Sequence, residues 1–137
     1  MTGREKPSMT SVNIFLSEDA REAIRSRGWT NRSAAVRHFA TVLILAHDEG
    51  DDRVVPAINR VARMISARIR REMTRSHDVT WQKAIVWVPD EMMMSMDRII
   101  KPVDLTPSQF LGATVIMACQ PRDVIRAWPE ADPEQDR

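Results

Sequence analysis

The sequence predicts a mainly helical chain carrying one small two-stranded antiparallel β-ribbon, written as two similar halves. Three observations predict it. Two alternating runs, 11–16 and 83–88, lie 72 positions apart and each ends at an acidic helix start. Each run is followed by a short helical stretch, a turn and a longer apolar helix. Finally, 137 residues, 43% hydrophobic and 28% charged, can fill one core. Two separate cores of about sixty residues each would be marginal on surface-to-volume grounds.

Residues 1–10 are polar, contain a Pro and a Gly, and are expected to be a mobile N-terminus. The first strand is predicted over 11–16, with Val12, Ile14 and Leu16 on one face and Ser11, Asn13 and Phe15 on the other. Ser17 can cap the next helix, and Glu18 and Asp19 suit its positive end. Ala20, Ala23 and Ile24 form that helix's inward stripe, and Gly28 stops it. Thr30 or Asn31 caps a second helix running to about His47, with Val36, Phe39, Ala40, Leu43 and Ile44 at helical spacing. The first half thus spans 11–48.

Residues 53–77 read as an amphipathic linker helix. Ile58, Val61, Ala62, Ile65 and Ile69 make its apolar stripe. Seven arginines (Arg53, Arg60, Arg63, Arg68, Arg70, Arg71 and Arg75) stand against one acid, Glu72, a local charge of +6.

The second half, 83–120, repeats the order. Ala84, Val86 and Val88 alternate with Lys83, Ile85 and Trp87. Pro89 suits the first turn of the next helix, where no amide is needed, and Asp90 and Glu91 follow it. Met93, Met96, Ile99 and Ile100 are the expected inward set, with Met92 and Met94 as further core and gap-filling residues. Lys101-Pro102-Val103-Asp104 breaks that helix. Thr106-Pro107-Ser108-Gln109 is a capping box with Pro at the first helical position, starting a helix that ends near Pro121. The two second-helix caps correspond as Thr30 and Thr106, which predicts a longer inter-helix loop in the second copy. Residues 121–137 form an acidic C-terminal tail, Pro-rich and expected to be disordered over 129–137.

Composition excludes several function classes. A net charge of +1 does not indicate a general polyanion binder, so a nucleic-acid surface must come from local clustering. The single cysteine, Cys119, excludes an intramolecular disulfide or a multi-cysteine zinc site and is expected as a small buried hydrophobe. His38, His47 and His77 fit no catalytic or zinc spacing, and Glu49, Asp51 and Asp52 read as an acidic turn. The sequence contains no phosphate-cradling glycine loop, HExxH or GxSxG motif, so no enzyme, cofactor or metal is expected. No membrane span or signal-peptide pattern is present, and the expectation is a cytoplasmic protein.

The strand–helix–helix order resembles the ribbon-helix-helix DNA-binding fold, with both halves in one chain as a pseudo-dimer. Within that fold, Val12-Asn13-Ile14-Phe15-Leu16-Ser17, Lys83-Ala84-Ile85-Val86 and the Leu105–Cys119 helix with Gly112, Ala113 and Ala118 resemble a narrower family. These are the single-chain ribbon-helix-helix virulence proteins of tumour-inducing plasmids, which bind the T-DNA border and its enhancer. The resemblance covers most of 11–120. Tandem relaxosome accessory proteins of F-type plasmids share the architectural idea.

The resemblance implies double-stranded DNA as partner, with the outward strand residues Ser11, Asn13, Phe15, Lys83, Ile85 and Trp87 reading base edges in the major groove. It also implies phosphate anchors at the second-helix starts, around Thr30, Asn31, Arg32 and Ser33 and around Thr106 and Ser108. Arg32 makes the first anchor basic, whereas no neighbour in sequence makes the second so. Arg60, Arg63 and Arg70 are candidate backbone contacts on the linker helix. The implied role is accessory: transfer or maintenance of plasmid DNA beside relaxase or partition proteins, by a monomer, with several copies along the DNA as an option. A repressor or antitoxin of the same fold is one alternative. A protein–protein adaptor using Phe15, Trp87 and the linker helix is another.

Overall fold

A computed structural model describes residues 8–75 and 81–119, with side chains described for 8–72 and 81–118. The expectations for 1–7, His77, the Cys119 side chain and the tail lie outside the described residues. The described chain is mainly helical with one two-stranded antiparallel sheet. In order come β1 (Met9–Leu16), α1 (Glu18–Ser26), α2 (Arg32–Asp48), α3 (Val54–Arg75), β2 (Gln82–Pro89), α4 (Asp90–Ile100), a 3-10 turn (Lys101–Val103) and α5 (Pro107–Cys119).

Alternation decides the ribbon. Val12, Ile14 and Leu16 of β1 and Ala84, Val86 and Val88 of β2 are all buried, while the intervening residues are exposed. With a side-chain period of two, a slip of one residue would turn this buried set outward. The strands pair from Met9↔Pro89 to Leu16↔Gln82. Both are longer than the sequence suggests. Met9 and Thr10, expected in the mobile N-terminus, are strand residues: the Thr10 hydroxyl donates to Asp90 (3.1 Å), and the Asp90 amide donates to the Ser8 carbonyl (3.0 Å). Pro89 is not inside α4. It ends β2 and takes the cap position at φ −62° and ψ 146°, where its ring-fixed φ is compatible with extended backbone.

The helices begin where short polar side chains can accept from orphan amides. Ser17 caps α1 through the Ala20 amide (3.1 Å) and Asn31, not Thr30, caps α2 through the Ala34 amide (3.0 Å). At α5 the capping box closes as expected: the Gln109 amide donates to Thr106 Oγ1 (3.2 Å) and the Thr106 amide to Gln109 Oε1 (2.9 Å). With Asn31 as the cap, the second-helix starts correspond at 75 positions, three more than the strands. Most of that excess lengthens a helix, because α4 has 11 residues where α1 has 9.

Beneath the ribbon, Val36, Phe39, Ala40, Leu43 and Ile44 of α2 meet Phe110, Leu111, Ala113, Val115 and Ile116 of α5 in one continuous core. Val54, Ala57, Ile58, Val61, Ala62 and Ile65 place α3 on the same core. Met96, Ile99 and Ile100 are buried as expected, but Met93 is only half-buried and Met94 is 68% exposed, so the methionine run is not wholly core. Trp81, just ahead of β2, is buried and was not anticipated from sequence. Thr114 is buried with its hydroxyl donated to the Leu111 carbonyl (2.8 Å). At the α2–α3 turn the Asp51 carboxylate accepts from the Arg53 side chain and amide, which holds its pKa below the usual carboxylate value.

Gly112 sits inside α5, where a Cβ would meet nothing nearer than the Phe15 carbonyl at 3.9 Å. Since glycine costs a helix interior about 1 kcal/mol relative to alanine, Gly112→Ala is expected to raise stability by up to about 1 kcal/mol in urea denaturation. A clear loss would mean that α5 and β1 approach more closely than described.

Candidate nucleic-acid interface

A two-stranded ribbon has two faces and two free edges, and every unpaired edge group needs a partner. The inner face is buried. The first turns of α2 and α5 partner part of each edge, each reaching the strand of the opposite half. At β2, the Ser33 hydroxyl accepts from the Trp87 amide (3.1 Å), and one turn later Arg37 Nη1 donates to the Trp87 carbonyl (2.7 Å). At β1, the Ser108 hydroxyl donates to the Asn13 carbonyl, and one turn later Gly112 lies opposite the Phe15 carbonyl. Ser33 and Ser108 correspond at the 75-residue offset, as do Arg37 and Gly112. One edge is held by a long cationic side chain where the other is approached by bare backbone.

Only the outer face then remains, and it presents all six candidates. Ser11, Asn13, Phe15, Lys83, Ile85 and Trp87 are exposed and paired as Ser11↔Trp87, Asn13↔Ile85 and Phe15↔Lys83. At the 72-residue offset Asn13 faces its own counterpart, and the flanking pairs exchange under a two-fold rotation about that point. The sequence repeat and the pairing register therefore share one centre. Exposed apolar groups at Phe15, Ile85 and Trp87 sit among the polar Ser11, Asn13 and Lys83. Phe15 is 37% exposed against 51% for its counterpart Trp87, because Phe15 borders a cleft with Ile65, Ser66 and Ile69 of α3.

The two helix starts differ in charge and in how their side chains are used. At α2, Thr30 and Arg32 line a groove with Arg21, Arg25 and Trp29. Arg21 also donates to the Leu16 carbonyl (3.0 Å), and Arg25 pairs with Glu22 (2.8 Å). Asn31 and Ser33 are occupied by the cap and the ribbon, so their side chains serve the fold rather than a ligand. Likewise Thr106 is spent in the capping box and Ser108 on β1. Sequence reasoning missed Arg21, Arg25 and Arg37. Arg21 and Arg25 are four apart on one helix, which places them on one face, and that spacing was the available signal.

α3 redistributes the expected arginines. Arg63 donates to the Val103 carbonyl (2.9 Å) and to Asn59 (3.1 Å), fastening the linker helix to the 3-10 turn instead of leaving a free cation. Ser66 accepts from Gln109 Nε2 (3.4 Å) at the start of α5. Arg70 lies one turn beyond Ser66 along α3 and is exposed. Arg60 is exposed on the outer side of α3, about 9 Å back along the axis from Ser66. α3 thus borders the second helix start through Ser66, and helical spacing puts Arg70 on the same side of α3 one turn further on.

Other titratable groups are engaged elsewhere. His38 packs against Trp29 and Phe39 at ring-centroid distances of 5.5 and 6.0 Å. Asp48 bonds His47 and lies near Arg98, and the His47 bond in particular keeps its carboxyl pKa low. Among the described residues no cluster of three or more His, Cys, Asp or Glu is placed to hold a metal ion, and no helix is long and apolar enough to cross a membrane. The chain matches no family model, no curated protein and no solved structure.

Removing the Ser33 hydroxyl strips the Trp87 amide of its partner. Ser33→Ala is expected to cost about 0.5–1.5 kcal/mol and to speed hydrogen exchange at the Trp87 amide. Unchanged protection of that amide would show that the β2 edge is held by other means.

Proposed function

We propose that this chain is a single-chain ribbon-helix-helix pseudo-dimer that binds double-stranded DNA site-specifically, with its ribbon in the major groove. The observation carrying this reading is the ribbon's exposed outer row, flanked by the starts of α2 and α5, the first of which is lined by Arg21, Arg25 and Arg32. Two strands about 4.8 Å apart fit a groove about 12 Å wide. On this reading Asn13 pairs with adenine, Lys83 donates to guanine, and Phe15, Ile85 and Trp87 contact thymine methyl groups. The α2 and α5 starts, with Arg32 and Arg70 respectively, approach the flanking phosphates. Binding without catalysis suits an accessory role in transfer or maintenance of plasmid DNA, the role implied by the sequence resemblance. A repressor of the same fold would use the same contacts.

The apolar share of the outer row favours one second reading, a protein-binding ribbon centred on Phe15, Ile85 and Trp87. Salt separates the two. DNA binding that releases counterions weakens steeply as salt rises, whereas an adaptor shows no DNA binding even at low salt. Selection from random duplex DNA, followed by titration of the recovered site, makes that comparison. Asn13→Ala and Lys83→Ala are each expected to cost about 1–3 kcal/mol of discrimination between the selected site and random DNA. Full site preference in both variants would remove the ribbon as the reader.

The arginines give a separate test. Arg32→Ala and Arg70→Ala should each reduce the salt slope by about one, while Arg60→Ala leaves it unchanged. Equal effects at Arg60 and Arg70 would contradict the placement of α3 beside the α5 start.

A further inference from the structure

On α2, apolar side chains continue onto the exposed surface. Val42 is 48% and Leu45 55% exposed. Beside them runs an apolar groove lined by Phe39, Val42 and Leu43 of α2 and by Thr114, Met117 and Ala118 of α5. The proposed DNA-binding ribbon does not use this groove. Its α5 wall includes Met117 and Ala118, in the last turn of the described chain.

The residues that follow are Gln120-Pro121-Arg122-Asp123-Val124-Ile125-Arg126-Ala127-Trp128. The acidic stretch begins only after them. Val124, Ile125 and Trp128 are spaced i, i+1 and i+4, which in a helix puts all three on one face. From Ala118, three residues to Pro121 span at most about 10 Å, so chain length alone allows the segment to reach the groove. Covalent attachment gives it an effective concentration that a second copy or a free partner must compete against.

We propose that residues 121–128 of the chain dock in the α2–α5 groove, with Val124, Ile125 and Trp128 covering Val42, Leu45 and Met117. The occupant is intramolecular, and the docked segment completes the core on the side away from the ribbon.

Arg122 and Arg126 make the proposal testable by trypsin, since cleavage of a docked segment follows the population in which it is released. Time courses on the full chain, read by mass spectrometry, would compare the wild type with Val42→Glu/Leu45→Glu and, separately, Trp128→Ala. Cleavage after Arg122 and Arg126 is expected to be about tenfold faster in both variants. Should the groove variant unfold, cleavage throughout its helices will reveal it, and Trp128→Ala then decides alone, because it lies outside the described core. Equal rates in the wild type and Trp128→Ala overturn the proposal. So does a wild-type dimer, detected by sedimentation, that Val42→Glu/Leu45→Glu dissociates without changing tail cleavage; that result assigns the groove to a second copy.

Discussion

The structure depends on how the two free edges of a two-stranded ribbon are closed. An isolated pair of strands is marginal in water and presents a row of unpaired amides and carbonyls on either side. Here the first turns of α2 and α5 supply the partners, and each serves the strand belonging to the other half. Ser33 and Arg37 hold Trp87, while Ser108 holds Asn13. The crossing interlocks the halves, because these edge partners come from the opposite half. It also fixes both helix starts at the ribbon's flanks. Since the inner face is committed to the core by Val12, Ile14, Leu16, Ala84, Val86 and Val88, one face alone is left for a ligand.

Within that shared plan the halves are unequal. Arg37 and Gly112 occupy corresponding places, yet one bonds a strand carbonyl through a long side chain and the other leaves a gap no wider than a methyl contact. α3 increases the inequality. It is fastened to the second half by Arg63 at Val103 and by Ser66 at Gln109, and it borders Phe15 while Trp87 stays more open. A linker could have been a slack tether. Burial of Val54, Ala57, Ile58, Val61, Ala62 and Ile65 makes it a structural wall instead.

Much of this was legible in the sequence because its causes are local. Alternation with period two named both faces of the ribbon, and the Thr106–Gln109 capping box needs only residues within one turn. What sequence reasoning missed has non-local causes. Thr10 became a strand residue through Val88, 78 positions away, and Asp90, 80 positions away. Arg63 looked like a candidate DNA-backbone contact because its acceptor, the Val103 carbonyl, is forty residues distant. The second helix start takes a neighbour, Ser66, from another element, forty-three residues before Gln109. Even the choice between Thr30 and Asn31 turned on which side chain meets the Ala34 amide once the chain has turned.

The centre of the ribbon shows why two halves in one chain differ physically from two identical chains. In a symmetric pair, the residue on the two-fold axis must face itself, so the central pair is like with like. Here that place holds Asn13 opposite Ile85, a hydrogen-bonding amide against a branched alkyl group. No homodimer can make that pairing. On the proposed DNA reading, the central position then asks for different chemistry from the two sides of one base step, and Phe15↔Lys83 and Ser11↔Trp87 extend the difference outward. A palindromic site would leave half of these groups mismatched, so the arrangement favours a target with a direction, and α3 beside one flank only would distinguish its two ends.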